Sequence, residues 1–338
     1  MNKNDSFKEQ KSKEAKSAAK GNFDNIKSKY IVKQIFDNLP RNILLKIILR
    51  NKKLQQRIDV NIKDYIEYSY VIIDIEPAQN VYGRFINIIN EEDKKYFTRI
   101  YFDGKNEEIN RTILYKNERV QNIRILIKSN MQNFTRLFEK CKCIERIKLQ
   151  YLKQRNYYEM NKMFNDNISL KEINFDNNCE INIKYMVYMF ANCPKLETIN
   201  MDKFNTEKVV NMSYAFLGCK SLKELNCSSF NTKNVTNFHG MFQDCTSLTK
   251  IDLSNFDATS TIYITYMFFR CTSLKEVKLS NFDTSKIRKM YKCFSFCSSL
   301  KELDLSNFKI STTADRDNMF EGCPTEFIDK INLKIKII

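Results

Sequence analysis

The 338-residue chain has no tryptophan and contains only one histidine, six glycines and four prolines. No glycine-rich phosphate-binding loop is present, and no carboxylate pair stands out from the repeated surface charges. The single histidine, His239, lies between two apolar positions, Phe238 and Met241, and cannot by itself supply a zinc ligand set. The sequence therefore predicts a non-catalytic protein with no catalytic, cofactor-binding or metal-binding residues.

The chain also lacks long apolar runs. No 18 consecutive residues are apolar, which argues against a transmembrane helix. Residues 1–28 contain no apolar run followed by a small-residue cleavage site, so they do not form a secretory signal. These absences predict a cytoplasmic protein, with the cell surface as the alternative.

The dominant feature of the sequence is a 26-residue repeat. Aliphatic residues follow the repeated cysteines with the spacing L-x-x-L-x-L, as at Leu248, Ile251 and Leu253. An internal period of 20 to 30 residues with this spacing is the signature of a leucine-rich-repeat solenoid. Seven units in register fill residues 137–323. Their two main ladders are Phe138, Phe164, Phe190, Phe216, Phe242, Phe268, Phe294 and Phe320, and Cys193, Cys219, Cys245, Cys271, Cys297 and Cys323.

One unit, residues 220–245, shows the expected coil. Leu222, Leu225 and Cys227 have the spacing of inward side chains in a short strand and its lead-in, so Glu224 and Asn226 face outward. The second half of the unit predicts a short helix, because apolar residues recur there at three- and four-residue spacings. These residues are Val235, Phe238, Met241 and Phe242.

The repeat carries a family resemblance. The phrase M-F-x-x-C-x-S-L-K-E followed by L-S-N-F-D-T, at residues 267–284, resembles the BspA-type leucine-rich repeat found in mycoplasma and brachyspira surface proteins and in protist proteins. The resemblance implies a right-handed solenoid used for adhesion or partner binding, without enzymatic activity. The predicted fold is therefore an α/β repeat: a leucine-rich-repeat solenoid with a parallel sheet on its concave face, preceded by a small helical cap.

The segments before the array are predicted to differ from it. Residues 1–57 hold 15 Lys and Arg against 5 Asp and Glu, a net charge of +10. Residues 1–28 are predicted to be a disordered basic tail, residues 29–67 a helical cap, and residues 68–136 irregular leading coils. The stretch at 39–55 resembles the opening of an F-box, although the later F-box tryptophan is missing, and implies a ubiquitin-ligase substrate adaptor. Contact of the basic amino terminus with a membrane surface is also left open.

The end of the chain and the cysteines give two further expectations. Residues 324–338 are predicted to form a closing strand or cap, because apolar residues alternate from Ile331 to Ile337. The eleven cysteines are interpreted as small buried apolar residues, since the ladder lies in a protein for which no export signal is predicted. Cysteines on neighbouring coils would nevertheless be close enough for disulfides, so their redox state is left open.

The outward strand positions line up from coil to coil and form a concave row, which we call the polar strip. Its mixed charge, basic at the start and acidic at the end, suits a protein partner better than a nucleic acid. The sequence does not identify that partner or the oligomeric state. The polar strip consists of Arg146, Lys148, Glu172, Asn174, Thr198, Asn200, Glu224, Asn226, Lys250, Asp252, Glu276, Lys278, Glu302 and Asp304.

Overall fold

The computed structural model describes residues 70–88, 94–152, 158–177, 179–303, 309–332 and 336–337. The predicted basic tail, the helical cap and the F-box-like stretch lie outside these residues, as does Asp304 of the polar strip.

Short strands dominate the described part of the chain, which contains one α-helix. The strands are β1 (Tyr70–Pro77), β2 (Gly83–Arg84), β3 (Phe97–Phe102), β4 (Ile113–Leu114), β5 (Ile123–Lys128), β6 (Ile144–Gln150), β7 (Tyr158–Glu159), β8 (Glu172–Phe175), β9 (Ile181–Tyr185), β10 (Thr198–Ile199), β11 (Phe204–Asn205), β12 (Lys250–Asp252), β13 (Glu276–Lys278), β14 (Glu302–Leu303), β15 (Lys309–Ile310) and β16 (Lys336–Ile337). The helix, α1, spans Thr325–Asn332.

The repeated strands stack in parallel, as the solenoid prediction requires. One sheet has the order β10-β8-β6-β1-β5-β3, and two others have the orders β11-β9-β7 and β12-β13-β14. In the sheet of β12, β13 and β14, Ile251 pairs with Val277, which pairs with Leu303. The paired residues are therefore separated by one 26-residue period along the sequence. The predicted leucine-rich-repeat solenoid with parallel sheets is therefore confirmed.

A continuous column of phenylalanine rings runs through the core. Neighbouring rings of the first ladder are stacked with their centroids 5.3 to 5.6 Å apart, from Phe138 to Phe320. The rings from Phe138 to Phe294 are buried. Because no coil can cover its own apolar side, each ring is buried by the coils above and below it.

The predicted helix in each repeat is wrong. In the segment that contains Phe242, the Met241 amide donates to the Phe238 carbonyl (3.1 Å), whereas the Phe242 amide donates to Met267 on the next coil (2.9 Å). Gly240 and Asp244 have left-handed backbone conformations, with φ of 58° at both. An α-helix cannot accommodate a left-handed residue at every fourth position, so the segment forms consecutive turns that bond to neighbouring coils.

The strands that precede the array pair differently from the coils. The strand-like pieces at 70–75, 99–102 and 123–127 are strands, as predicted. However, β1 runs antiparallel to β6, and β3 runs antiparallel to β5, whereas stacked coils would be parallel. Of the predicted strand at 84–89, only Arg84 lies in a strand in the described part, as the second residue of β2, and the buried Phe85 and Ile86 follow it.

Residues 325–332 form a helix, where the sequence predicted a closing strand or cap. Ile331 lies within α1, so the alternating strand cannot begin there, although β16 pairs in parallel with β15 further on. Phe327 and Ile331 are four residues apart and both are buried, and the Phe327 ring packs edge-on against Phe320 at 5.8 Å. One face of α1 thus packs against the last coil.

Candidate functional site

The polar strip follows two separate parallel sheets and the coil between them. In that coil the strand predicted through Leu222, Leu225 and Cys227 is not formed, although these side chains are buried as expected. Arg146 pairs with Glu172 and Lys148 with Asn174, while Lys250 pairs with Glu276. The middle of the row borders a groove with a volume of about 840 Å³. The strip residues that line this groove are Thr198, Asn200, Glu224, Asn226, Lys250, Asp252, Glu276 and Lys278.

The alternation of burial, in the strands and in the coil between the two sheets, fixes which side chains face outward. Leu225 and Ile251 are buried, whereas their neighbours Glu224, Lys250 and Asp252 are exposed. Among the described strip residues only Glu172 and Glu276 are half-buried, and the others are exposed. The strip is therefore accessible along its whole described length.

The beginning of the strip is not a free basic patch. Arg146 lies 3.2 Å from Glu76, 3.5 Å from Glu172 and 3.7 Å from Glu145, measured between guanidinium nitrogens and carboxylate oxygens. Its hydrogen bond to Glu76 raises the pKa of Arg146. Lys148 has Asp176 at 3.6 Å. The predicted basic start is thus surrounded by carboxylates.

Two carboxylates on β1 extend the polar face beyond the predicted strip. Asp74 binds Arg124 through two contacts of 2.7 and 3.0 Å and also accepts a hydrogen bond from Gln150 at 2.8 Å. Glu76 contacts Arg146. The signal for both was present in the sequence, since Asp74 and Glu76 alternate with the buried Ile73 and Ile75.

The second strip position has a structural role on three successive coils, at Asn200, Asn226 and Asp252. The side-chain oxygen of Asn226 accepts a hydrogen bond from the Ser228 amide at 3.0 Å, and Asn200 and Asp252 make the equivalent bonds at 2.8 and 2.9 Å. Such side-chain contacts to the amide two residues later stabilise a turn after the strand. Hydrogen bonds from Ser254 and the charge of Lys278 lower the pKa of Asp252.

The centre of the strip has charges of both signs, and two of its charged residues have no ion pair in the described part of the chain. Lys278 lies between Asp252 (3.9 Å) and Glu276 (3.8 Å) and is shared by them. Glu224 and Lys250 make no ion pair with any described residue and are exposed. These two residues can therefore pair with charges of a binding partner without breaking an existing contact.

The cysteine ladder is part of the buried core and bonds neighbouring coils to each other. All eleven cysteines are free and buried. Each thiol of the main ladder donates to a phenylalanine carbonyl on the preceding coil, as from Cys245 to Phe216 at 3.2 Å, and burial raises the pKa of Cys245 to about 12. Asn167 occupies the same ladder position and donates to Phe138 at 2.7 Å. This ladder position is therefore occupied by a small buried side chain that donates a hydrogen bond to the preceding coil.

The described part of the chain has no metal-ligand cluster and no membrane-spanning helix. No group of three or more His, Cys, Asp or Glu side chains in these ranges is placed to hold a metal ion. None of the helical structure in the same ranges is long and apolar enough to cross a membrane.

Two family models match the chain. The model described as BspA type leucine rich repeat region (6 copies) matches residues 92–223. The model described as Mycoplasma protein of unknown function, DUF285, matches residues 184–278 and 251–334. No curated protein and no solved structure matches. The matched residues extend from 92 to 334 and include every described strip residue.

Proposed function

Because the chain is a BspA-type leucine-rich-repeat protein, we propose that it is a non-catalytic scaffold that binds a protein partner through the polar strip. The observation that carries this proposal is the row of exposed side chains along the groove, with Glu224 and Lys250 at its centre in no ion pair with another described residue. Charges of both signs favour a protein over the uniform negative charge of a nucleic acid.

The chemistry of the strip also indicates how strongly it binds. Its exposed members are carboxylates, amides, lysines, an arginine and a threonine, without aromatic residues. Interfaces with high affinity are usually centred on aromatic and arginine anchors, and here Arg146 is engaged by three carboxylates. We therefore expect an affinity of moderate strength that depends on salt concentration.

Site-specific photocrosslinking in cells tests this proposal. A photoreactive amino acid is placed at Glu224 or at Lys250, and in a control protein at Asn231, which is exposed but lies outside the strip. We expect the same protein adduct from both strip positions and no such adduct from Asn231. The purified partner should then bind the double variant Glu224→Lys, Lys250→Glu at least about tenfold more weakly, because both contacts become repulsive.

Two results would contradict the proposal. Equal crosslinking from Asn231 would place the contact outside the strip. Unchanged affinity of the double charge reversal, with an unchanged circular dichroism spectrum, would show that the central charges do not contact the partner.

The family match favours a second function, that of a surface adhesin. In that case the scaffold would present the polar strip to a protein outside the cell. Protease treatment of intact cells distinguishes the two locations: loss of the full-length protein, with a cytoplasmic marker retained, supports the adhesin, whereas complete protection removes it.

A further inference from the structure

The coil of Glu224, Leu225 and Asn226 interrupts the hydrogen bonding of the sheets. It lies between β10 and β12, which are the end strands of two separate parallel sheets, and it is not itself a strand. In the described part of the chain, the backbone groups of these three residues make no hydrogen bond to the backbone of either neighbouring coil. The two sheets are therefore not continued into each other through this coil.

The contacts that cross the polar strip differ between this coil and the others. β13 pairs in parallel with β12 before it and with β14 after it, so backbone hydrogen bonds hold it from both directions. At the interrupted coil, side chains make contacts to the preceding coil: the Ser229 hydroxyl donates to the Met201 carbonyl at 2.9 Å, and the Asn226 side chain donates to Asp202 at 3.1 Å. A side chain can change its rotamer without moving the backbone, so these contacts restrain the coil less than strand pairing does.

Across the core, the turn segment 238–244 of the same coil is bonded to both neighbours. The Phe216 amide donates to the Met241 carbonyl, and the Phe242 amide donates to the Met267 carbonyl, both at 2.9 Å. The Phe242 ring also stacks on Phe216 at 5.6 Å and on Phe268 at 5.4 Å. We call this side of the array the turn side and the side of the polar strip the strip side. Backbone hydrogen bonding through this coil is thus continuous on the turn side and interrupted on the strip side.

The sequence of the coil explains the missing strand. Leu225 stands where the neighbouring coils have Ile199 and Ile251, whose β-branched side chains favour strands. Cys227 stands where the next coil has the larger Leu253, and both side chains are buried. The coil therefore combines a weaker strand former with a smaller core residue at the end of the predicted strand.

The groove of the polar strip spans the interruption. Thr198 and Asn200 line it from the coil before, and Lys250 and Asp252 line it from the coil after. A change in the angle between the two sheets therefore changes the distance between these two pairs of side chains, and with it the width of the groove.

We propose that the coil of residues 220–245 is a hinge at which the solenoid bends, with the turn side as the pivot and the strip side as the side that opens. The coils before and after it move as two rigid parts, and the groove widens and narrows as they move. A partner of the strip selects one of these widths when it binds. The hinge itself needs no partner, so it is tested separately from the proposed function.

Double electron–electron resonance on the full chain tests the hinge. One pair of spin labels replaces Asn174 and Lys278 on the strip side, and a second pair replaces Tyr185 and Lys289 on the turn side. All four positions are exposed, and each pair spans four repeats with the interrupted coil at its middle. Four steps between stacked strands correspond to about 19 Å. The labels are attached through p-acetylphenylalanine, because the chain has eleven native cysteines.

The turn-side pair is the matched control for the strip-side pair. Because the hinge opens on the strip side, we expect the strip-side distance distribution to be about 1.5-fold wider than the turn-side distribution. Equal widths on the two sides would overturn the proposal.

The double variant Leu225→Ile, Cys227→Leu provides a second test, because it gives the coil the residues found at the equivalent positions of the next coil. Both residues are changed, since Leu303 lies within β14 and leucine alone does not prevent a strand. We expect the strand to form, so that hydrogen exchange at residues 224–226 slows at least about tenfold. The strip-side distribution should then narrow to the turn-side width. A distribution that stays wide although exchange has slowed would overturn the hinge.

Discussion

At the scale of single residues, a threonine ladder shows how the coils are joined outside the sheets. The Thr232 hydroxyl donates to the Asp257 carbonyl at 3.1 Å and accepts the Asp257 amide at 2.8 Å. Thr206 and Thr284 make the same pairs of bonds to the following coils. Ala258 interrupts the ladder, and the Asp283 amide bonds to the Asn281 carbonyl instead.

We therefore predict that Ala258→Thr increases stability. The new hydroxyl can make the two hydrogen bonds seen on the neighbouring coils, and the expected gain is about 1 kcal/mol in the free energy of unfolding. Guanidinium denaturation monitored by circular dichroism measures it. Ala258→Val is the control, since valine has the same shape but no hydroxyl. An equal gain from valine would show that packing and not hydrogen bonding is responsible.

A second prediction concerns His239, the only histidine of the chain. Burial lowers its pKa below the usual 6.5. Between the folded pKa and about 6.5 the unfolded chain binds more protons than the folded chain, so this group makes the protein less stable as the pH falls through that window. Above about 6.5 the group contributes no pH dependence.

The His239 titration is measurable by NMR, because a single imidazole signal is expected. We expect its midpoint below 6.5, and we expect His239→Gln to reduce the loss of stability between pH 7 and pH 5. A midpoint above 6.5 would contradict the assigned burial of this ring.

Much of the residue-scale arrangement was predictable from the period alone. The 26-residue period predicts that Phe242 is buried in the core and that Glu224 is exposed, and the structure agrees. The contact of Arg146 with Glu76 was not predicted, because Glu76 lies on β1, whose pairing with β6 the repeat does not specify. Whether the strip residues bind a partner stays a prediction.

At the scale of elements, the turn segments explain the main error of the sequence-based prediction. The spacing of Phe238, Met241 and Phe242 fits one face of a helix, but it fits equally a series of turns with a left-handed residue at every fourth position. Apolar spacing records which side chains are buried and not which amide bonds to which carbonyl. Most of these left-handed positions hold residues other than glycine, so the usual glycine signal is absent.

The carboxyl-terminal helix leads to a prediction at the same scale. Phe327 is buried and packs against Phe320 of the last coil. Phe327→Ala should destabilise this end locally, by about 3 kcal/mol. Hydrogen exchange should accelerate in α1 and in the coil of Phe320, with little change in the coils near Phe138. Asp329→Ala, at an exposed position of α1, is the control. Uniform acceleration along the chain would contradict a local capping role.

At the scale of the whole molecule, hydrogen bonds between coils connect nearest neighbours. The Phe216 amide donates to Met241, the Phe242 amide to Met267, and the Phe268 amide to Cys293. Stability is therefore close to a sum of coils and of the contacts between neighbouring coils.

Removal of one coil tests this additivity. Deletion of residues 220–245 removes 26 residues and leaves every ladder in register. We expect a folded protein with an unchanged circular dichroism spectrum per residue and a lower unfolding temperature. Deletion of residues 220–244 is the control, because the frame shifts by one residue and the following strand presents its apolar side chains to solvent. We expect that variant to aggregate, and a folded protein from it would contradict the frame.

The bonding between neighbouring coils also determines how the molecule responds to mechanical force. Tension applied through the two ends of the array loads the terminal coil first, since each coil is held only by its neighbours and the helix α1 closes one end. Coils would then detach one after another, each releasing a chain length of about 90 Å for its 26 residues. An anchored molecule of this kind would lengthen in steps under load and remain attached to whatever its intact coils still hold.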